Sequence, residues 1–419
     1  MMPQTQTAAQ MIDIAALPVE DAVDRVINHA VTLRASDLFI LANEDFYAIS
    51  IRHLGLMRPV SIVSAEVGKQ FTQHIKANAG MDVAEHRHPA DGRWIYERAE
   101  TENADNEDDN EDAAVVDLRL STVPTLHGED MVIRLLSRDF GLYEMNELGF
   151  ADDELSTVEM MLDSPGGLIL CCGPTSSGKT ATLYAALRHL HDGTRKINTI
   201  EDPIEFAIDG FRQSQINTQI NLKFADLLKG VLRQSPDIIM IGEIRDKETA
   251  TTAVRAANSG HLVLSTIHAP VAAAAIESMR SLGVNNHFLA TALRGVISQR
   301  LVRTLDPDRR VEYDISHAPE IFSPITPLLK EGEGKTFYAP GAGEGQSGYN
   351  GRTGVYEVMA MTTALRGLVS KGADTTKIRE QALNDGMRDF KSNALLKVAR
   401  GVTAIEEVFR VIPAEYLDE

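Results

Sequence analysis

The 419-residue chain is 43% hydrophobic and 24% charged, enough apolar material for two or three packed domains. Its net charge of −19 argues against broad binding to nucleic acid, which needs clustered Lys and Arg to neutralise phosphates. No apolar run approaches the roughly 18 residues that cross a bilayer, and the opening MMPQTQTAAQ lacks the basic-then-apolar layout of a secretory signal, so a cytoplasmic chain without direct membrane insertion is expected.

In chain order, residues 1–11 read as a disordered N-terminus and 12–140 as a small α/β domain. Within it, DGRWIY and VVDLRLSTV have strand character, and they flank ERAETENADNEDDNED, residues 97–112, with nine acids against Arg98 alone. Without apolar periodicity this acidic run reads as a solvated hairpin insert. A polar, Gly-containing connector over 141–150 then leads into a second domain spanning 151–419. That domain alternates strand and helix in the manner of a parallel sheet covered on both faces: LILCC, ATLYAALRHLH, KINTIED, FADLLKGVLRQ, DIIMIG, KETATTAVRAANSG and LVLSTIH follow one another. Cys171 and Cys172, the only cysteines, are adjacent on a strand and so face opposite sides as core residues, making neither a disulfide framework nor a metal site. The stretch 306–350, rich in Pro and Gly, reads as a loop or insertion, and 360–419 as a helical C-terminal segment.

Residues 173–180, GPTSSGKT, form a phosphate loop between a buried strand and a helix. Gly173 and Gly178 permit a tight loop whose N–H groups point at phosphate oxygens, Lys179 reaches the β- and γ-phosphates, and Thr180 ligates Mg²⁺. With Pro174, Thr175, Ser176, Ser177 and Ala181 these residues are the candidate nucleotide contacts, at a helix N-terminus. Polar residues ending the later strands gather at the same edge of the sheet: Glu201 and Asp202, then Glu243 and Arg245, then His268. Hydrolysis of ATP needs a metal, charge neutralisation and a group that orients water. Glu243, directly after Ile238–Gly242, stands where phosphate-loop ATPases hold a water-polarising carboxylate. The acid usual before it is replaced by Gly242, which turns Mg²⁺ toward Thr180 and Glu201. Two plain structural readings stay open: Glu243 as a partner of Arg245, and Glu201 as a cap of the turn at Pro203.

The runs GPTSSGKTATLYA, NTIEDPIEF, LRQSPDIIMIGEIRD and SGHLVLSTIHAP together resemble the ATPases of type II secretion and type IV pilus assembly. ASDLFI, DGRW and RLSTVPTLHGEDMVIRLL upstream, and SQRLVRTL, GYNGRTGVYEVM and GMRDFKSNALLKVARGVTAIEEVFRV downstream, extend the resemblance over roughly residues 30–412. It implies an α/β fold: a PAS-like N-terminal sheet with helices, then a RecA-like ATPase domain with a mainly parallel sheet. It makes Glu243 the catalytic glutamate, Glu201 the carboxylate near Mg²⁺ and the γ-phosphate, and His261 and His268 the motif histidines near that phosphate. Arg119 and Arg134 become arginines that the small domain brings onto the nucleotide, and Arg233 one that acts at a subunit boundary. The implied assembly is a homo-hexamer using ATP and Mg²⁺, peripheral at the cytoplasmic face of the inner membrane. Its partners there would be a platform protein and other cytoplasmic components of a pilus or secretion machine. A retraction motor of the same superfamily and a non-motor ATP-binding scaffold are the alternatives.

Three departures qualify the resemblance. The stretch LDPDRRVEYDISHAPEIFSP has no cysteine where family members carry paired CxxC motifs, so no zinc is expected. The extra N-terminal helical domain is expected to be missing. Within the motifs, Ser176 stands where a glycine is common and Ser235 where an acid precedes Pro236.

Overall fold

The computed structural model describes residues 11–14, 16–97, 115–137, 142–316, 319–341 and 348–417. Most of the acidic run, all but the last residue of the expected disordered N-terminus, and the first residue of the expected linker lie outside these described residues. The chain divides into two compact units, the division falling between Gly141 and Leu142.

In the first unit, α1 (Val19–Thr32) precedes β1 (Asp37–Ala42), β2 (Phe46–His53) and β3 (Leu56–Ser64), then α2 (Ala65–Asn78), β4 (Ala90–Glu97), β5 (Val115–Thr125) and β6 (Gly128–Ser137). The strands form one antiparallel sheet in the order β3-β2-β1-β6-β5-β4, so the two strands read on either side of the acidic run are neighbours. Alternation decides which face is buried. On β5, Val116, Leu118 and Leu120 point into a core shared with Val26, Ile27, Phe71 and Ile75 of the helices, while Asp117 and Arg119 take the other face. Lys76 is fully buried on α2, and its ammonium is met by both Glu129 oxygens at 3.1 Å and by the Glu85 carbonyl at 2.6 Å.

The second unit runs α3 (Asp152–Leu162), β7 (Gly167–Cys172), α4 (Lys179–Leu190), β8 (Ile197–Glu201), β9 (Arg212–Gln215), α5 (Phe224–Val231), β10 (Ile238–Ile241), α6 (Lys247–Asn258) and β11 (Leu262–Ile267). There follow α7 (Ala274–Ser281), α8 (Asn286–Ala292), β12 (Leu293–Leu305), β13 (Val311–Asp314), β14 (Thr336–Ala339), β15 (Tyr349–Ala360), α9 (Thr363–Ser370), α10 (Thr375–Asn384), α11 (Phe390–Ala399) and α12 (Ile405–Val411). Seven strands make a sheet in the order β15-β12-β7-β11-β10-β8-β9, parallel throughout except for β15 at one edge. Every residue of β7, β10 and β11 is buried, because helices cover both faces. Cys171 and Cys172 belong to the cores on opposite faces, and burial pushes the Cys172 thiol up to about 12, leaving it an inert apolar group. Among the described residues no helix is long and apolar enough to cross a membrane.

The Pro- and Gly-rich stretch 306–350 holds more order than its composition suggests. Within it β13 and β14 pair as an antiparallel ribbon around a 3₁₀ segment, Pro319–Leu328. Buried Phe322 and Ile325 from that segment join Val302, Phe390, Ala394 and Val398 in a separate small core, with Phe337 stacked on Phe322 at 5.6 Å. Arg310 lies over the Tyr338 ring at 4.2 Å and donates to the Gly401 carbonyl, tying the ribbon to the turn after α11. Composition misled here because two phenylalanines and two isoleucines among prolines and glycines carry the packing. Phe322→Ala is expected to destabilise this unit by about 3–5 kcal/mol, as for other large-to-small core changes, read as a lowered denaturant midpoint with unchanged slope.

The segment entering α3 is clamped from the C-terminal side. Tyr356 donates to the Leu148 carbonyl at 2.9 Å, Phe150 stacks on the Tyr356 ring at 3.8 Å, and Lys397 donates to the Gly149 carbonyl at 2.7 Å. Burial pulls the Lys397 ammonium from its ordinary 10.5 down to about 8, against the attraction of Glu154. The unfolded chain therefore binds this proton more tightly than the folded one. Between pH 8 and 10.5 the unfolded state holds more protons, and stability rises with pH across that window. Relative to Lys397→Met, the wild type is expected to gain thermal stability from pH 8 to 10.5 and to show a constant offset below pH 8, read by calorimetry.

Candidate functional site

The phosphate loop leaves β7 and closes on α4. Gly173 has φ +145° and Gly178 φ +88°, both on the side of backbone space that L side chains avoid. Space is as restrictive as torsion at Gly173, where a Cβ would fall 2.5 Å from the Gln299 carbonyl oxygen and 2.7 Å from Ser177 Oγ. Ser176 also adopts a left-handed φ of +58°, which accounts for the glycine common at this place in related sequences; serine there costs about 1 kcal/mol. Lys179 donates to the carbonyls of Gly173 and Pro174 at 3.0 and 2.8 Å, so its ammonium curls over the mouth of the loop. Burial holds its pKa below the ordinary lysine value, against the attraction of the Glu243 carboxylate. The loop fits a phosphate group: a helix N-terminus, an ammonium above it, and a cradle that a side chain at 173 would fill.

Backbone register brings the other groups to the same edge. Ile200 of β8 lies beside Ile241 of β10, so Glu201 and Gly242 are the next neighbours, joined by the Gly242 amide donating to the Ile200 carbonyl at 2.8 Å. Glu243 follows, 16% exposed, with Arg245 at 2.5 Å from one carboxylate oxygen and His268 Nε2 at 3.8 Å from the other. The pairing with Arg245 read from sequence thus exists, but the guanidinium is 64% exposed, and such pairs are worth about 0–1 kcal/mol. It does not account for a half-buried carboxylate facing both His268 and the charge of Lys179.

Glu201 is buried and fully engaged. Tyr184 donates to Oε2 at 2.5 Å, while Thr199 and Gln213 donate to Oε1 at 2.6 and 3.1 Å. Burial and the Glu201 charge push the Tyr184 phenol far above its usual range, so it remains a donor. These three donors, rather than the turn at Pro203, hold the carboxylate in place. Tyr184, on the second turn of α4, was not legible as a site residue, because an aromatic in an amphipathic helix reads as core. Tyr184→Phe is expected to leave a buried carboxylate short of a donor and to lower stability by about 1–3 kcal/mol, read by thermal denaturation with circular dichroism.

Two expected residues fall elsewhere. His261 precedes β11 while His268 follows it, so the strand's length, about 20 Å at ~3.3 Å per residue, separates them. His261 lies at the amino edge of the sheet, its Nδ1 3.0 Å from the Ala256 carbonyl, and is not a neighbour of the phosphate loop within this chain. Arg233, exposed after α5 and donating to the Lys229 carbonyl, lies at that same amino edge, before β10.

In the first unit, Arg119 stands directly across from Arg134 on β6 and from Arg93 on β4. Like charges so opposed destabilise a sheet. Two carboxylates offset them: Asp117 accepts both arms of Arg93 at 2.9 Å and lies 4.0 Å from Arg119, and Asp37 lies 3.4 Å from Arg134 and 3.5 Å from Arg52. The result is a row of guanidiniums on the face away from the core.

A family model described as type II/IV secretion system protein matches residues 14–410. The chain belongs to that family. It is 40% identical over 396 residues to type II secretion system protein E of Xanthomonas campestris, covering 94% of this chain and 67% of that one. It is 36% identical over 417 residues to type II secretion system ATPase E of Vibrio cholerae, covering 98% and 78%. With the type IV pilus assembly ATPase PilB of Pseudomonas aeruginosa it shares 34% over 394 residues, 94% and 67% of the two chains. The fold is that of the Legionella pneumophila ATPase DotB, with a TM-score of 0.70 at 19% identity over 96% of this chain and 98% of DotB. The retraction motor PilT with bound ADP gives a TM-score of 0.59 at 22% identity, over 92% of this chain and 96% of PilT. The protein is an ATP hydrolase of the secretion ATPases, a small N-terminal domain followed by a RecA-like P-loop domain.

Proposed function

We propose that this secretion ATPase is a hexameric motor whose ATP hydrolysis drives pilin or pseudopilin assembly, or protein export, from the cytoplasmic face of the inner membrane. Its partners there would be a membrane-embedded platform protein and other cytoplasmic components of the machine. The observation that carries the chemistry is Glu243, half-buried at the end of β10 within 3.8 Å of His268 and in the field of Lys179. Glu243 orients the attacking water and His268 faces the γ-phosphate. Lys179 leaves the loop carbonyls for phosphate oxygens, and its ammonium neutralises charge as the bond to the leaving phosphate breaks. Thr180, on the first turn of α4, supplies a hydroxyl suited to Mg²⁺, which when bound would neutralise phosphate charge. Glu201, its oxygens taken by three donors, acts through its charge from the adjacent strand end; direct coordination would require Tyr184 to move aside.

Arg119 and Arg134 add guanidinium charge to the nucleotide, which is consistent with an otherwise unfavourable row of like charges. Arg233, on the opposite edge from the phosphate loop, serves a neighbouring subunit. Assembly or export is favoured over retraction because relatives named for secretion and pilus assembly share 34–40% identity with this chain, whereas the likeness to PilT speaks for the fold alone.

Glu243→Gln is expected to reduce steady-state turnover of the Mg²⁺–ATP complex by at least 100-fold while nucleotide binding stays within a few-fold of wild type, read by phosphate release and by calorimetric titration with ADP. Unchanged turnover would sink the hydrolytic reading. Loss of filaments or of export in a deletion strain supports assembly or secretion, and excess filaments would transfer the motor to retraction.

A further inference from the structure

The strand next to the phosphate loop breaks the rule that strands covered on both faces are apolar. β12 runs parallel to β7 with Ile297 beside Cys171 and Ser298 beside Cys172, so Gln299 comes next, level with Gly173 where the loop begins. At this point three polar residues follow one another, Ser298, Gln299 and Arg300, with exposures of 0, 1 and 4%. Burying an amide and a guanidinium is unfavourable unless their hydrogen bonds are made. Gln299 makes one with the loop itself: its Nε2 donates to the Ser177 carbonyl at 2.7 Å. Its Oε1 is buried and accepts nothing, so the side chain keeps an unsatisfied acceptor that a leucine of similar volume would avoid.

Gln299 meets the loop at three places. Its carbonyl oxygen closes the space behind Gly173, and Nε2 would meet a Cβ at Gly178 at 3.1 Å. The two glycines and the central serine of the loop therefore all rest on one residue. Arg300 holds that residue in place, donating to the Gln299 carbonyl at 3.1 Å and to the Pro270 carbonyl at 2.6 Å while lying over the Phe390 ring at 4.9 Å. Pro270 is two residues past His268.

We propose that Gln299 is a positioning residue for the phosphate loop, holding its curvature from beneath without touching the nucleotide, and that Arg300 fixes it there. The inference rests on the reading of residues 173–180 as the nucleotide site. A loop whose central carbonyl is pinned keeps its N–H groups aimed at the phosphates before the nucleotide arrives, which lowers the ordering cost of binding. Withdrawing the pin then shows mainly in affinity. A purely structural Gln299 would lower stability and leave affinity alone.

The test uses the full chain with Gln299→Leu, which removes the donor, and Gln299→Asn, which keeps an amide and shortens it by one methylene. Val302→Ala, a buried change on the same strand whose side chain packs in the core of Phe322 and Phe390, serves as the control. The probes are ADP binding by calorimetry and Mg²⁺–ATP turnover, with thermal midpoints for all three variants. Both Gln299 variants are expected to raise the KM for ATP and the Kd for ADP five- to twentyfold with kcat within threefold of wild type, while Val302→Ala lowers the midpoint without moving KM. Overturning results are a KM within twofold of wild type in Gln299→Asn, or an equal rise in Val302→Ala. Lys179→Ala separates the two levels: ADP binding that survives it refutes the loop as the nucleotide site, whereas loss of binding in Lys179→Ala with unchanged Gln299 variants refutes the positioning role alone.

Discussion

The hydrogen-bond register of the parallel sheet is the constraint on which the site depends. Because β8, β10, β11, β7 and β12 run the same way and are in register at their carboxyl ends, each side chain just past a strand end arrives at one edge. Glu201, Glu243, His268, the loop at Gly173 and Gln299 are distant in sequence and adjacent in space for that reason alone. A slip of one residue in any pair would turn the end residue to the other face. The apolar runs inside the strands fix the register by filling cores on both faces, so the chemistry at the edge rests on packing away from it.

The same logic explains what could be read from the sequence. The loop, Glu243 and His268 were legible because each directly follows an apolar run that can only be a buried strand. The placement of His261 was not, because a motif supplies proximity in sequence while the strand between His261 and His268 carries them to opposite edges. Glu201 was legible as a strand-end carboxylate, but its partners were hidden. Tyr184 reads as helix core and Gln213 lies on β9, a short polar edge strand with no apolar signature. Gln299 was hidden for a related reason: SQR is an ordinary polar triplet until pairing with β7 places it under the loop. Between β12 and β15, four apolar side chains outweighed the local vocabulary of prolines and glycines.

Two kinds of unfavourable arrangement recur. In the first unit three arginines face one another across adjacent strands, offset by two aspartates. In the second, a glutamine and an arginine are buried in a central strand, and a serine is held at left-handed φ in the phosphate loop. Each is the reverse of what local packing alone would choose, and the arginines and the glutamine are held by specific partners. Local inconsistency of this kind, in a chain otherwise consistent from pattern to packing, points to where selection acted on activity.

The small core built on Phe322 and Ile325 anchors the ribbon of β13 and β14 by apolar burial. Cohesion by apolar burial has its own temperature signature, since hydrophobic stabilisation weakens on cooling. The ribbon of β13 and β14 is therefore held by a force that is strongest at moderate warmth. Cold is the stress to which this lobe is most exposed.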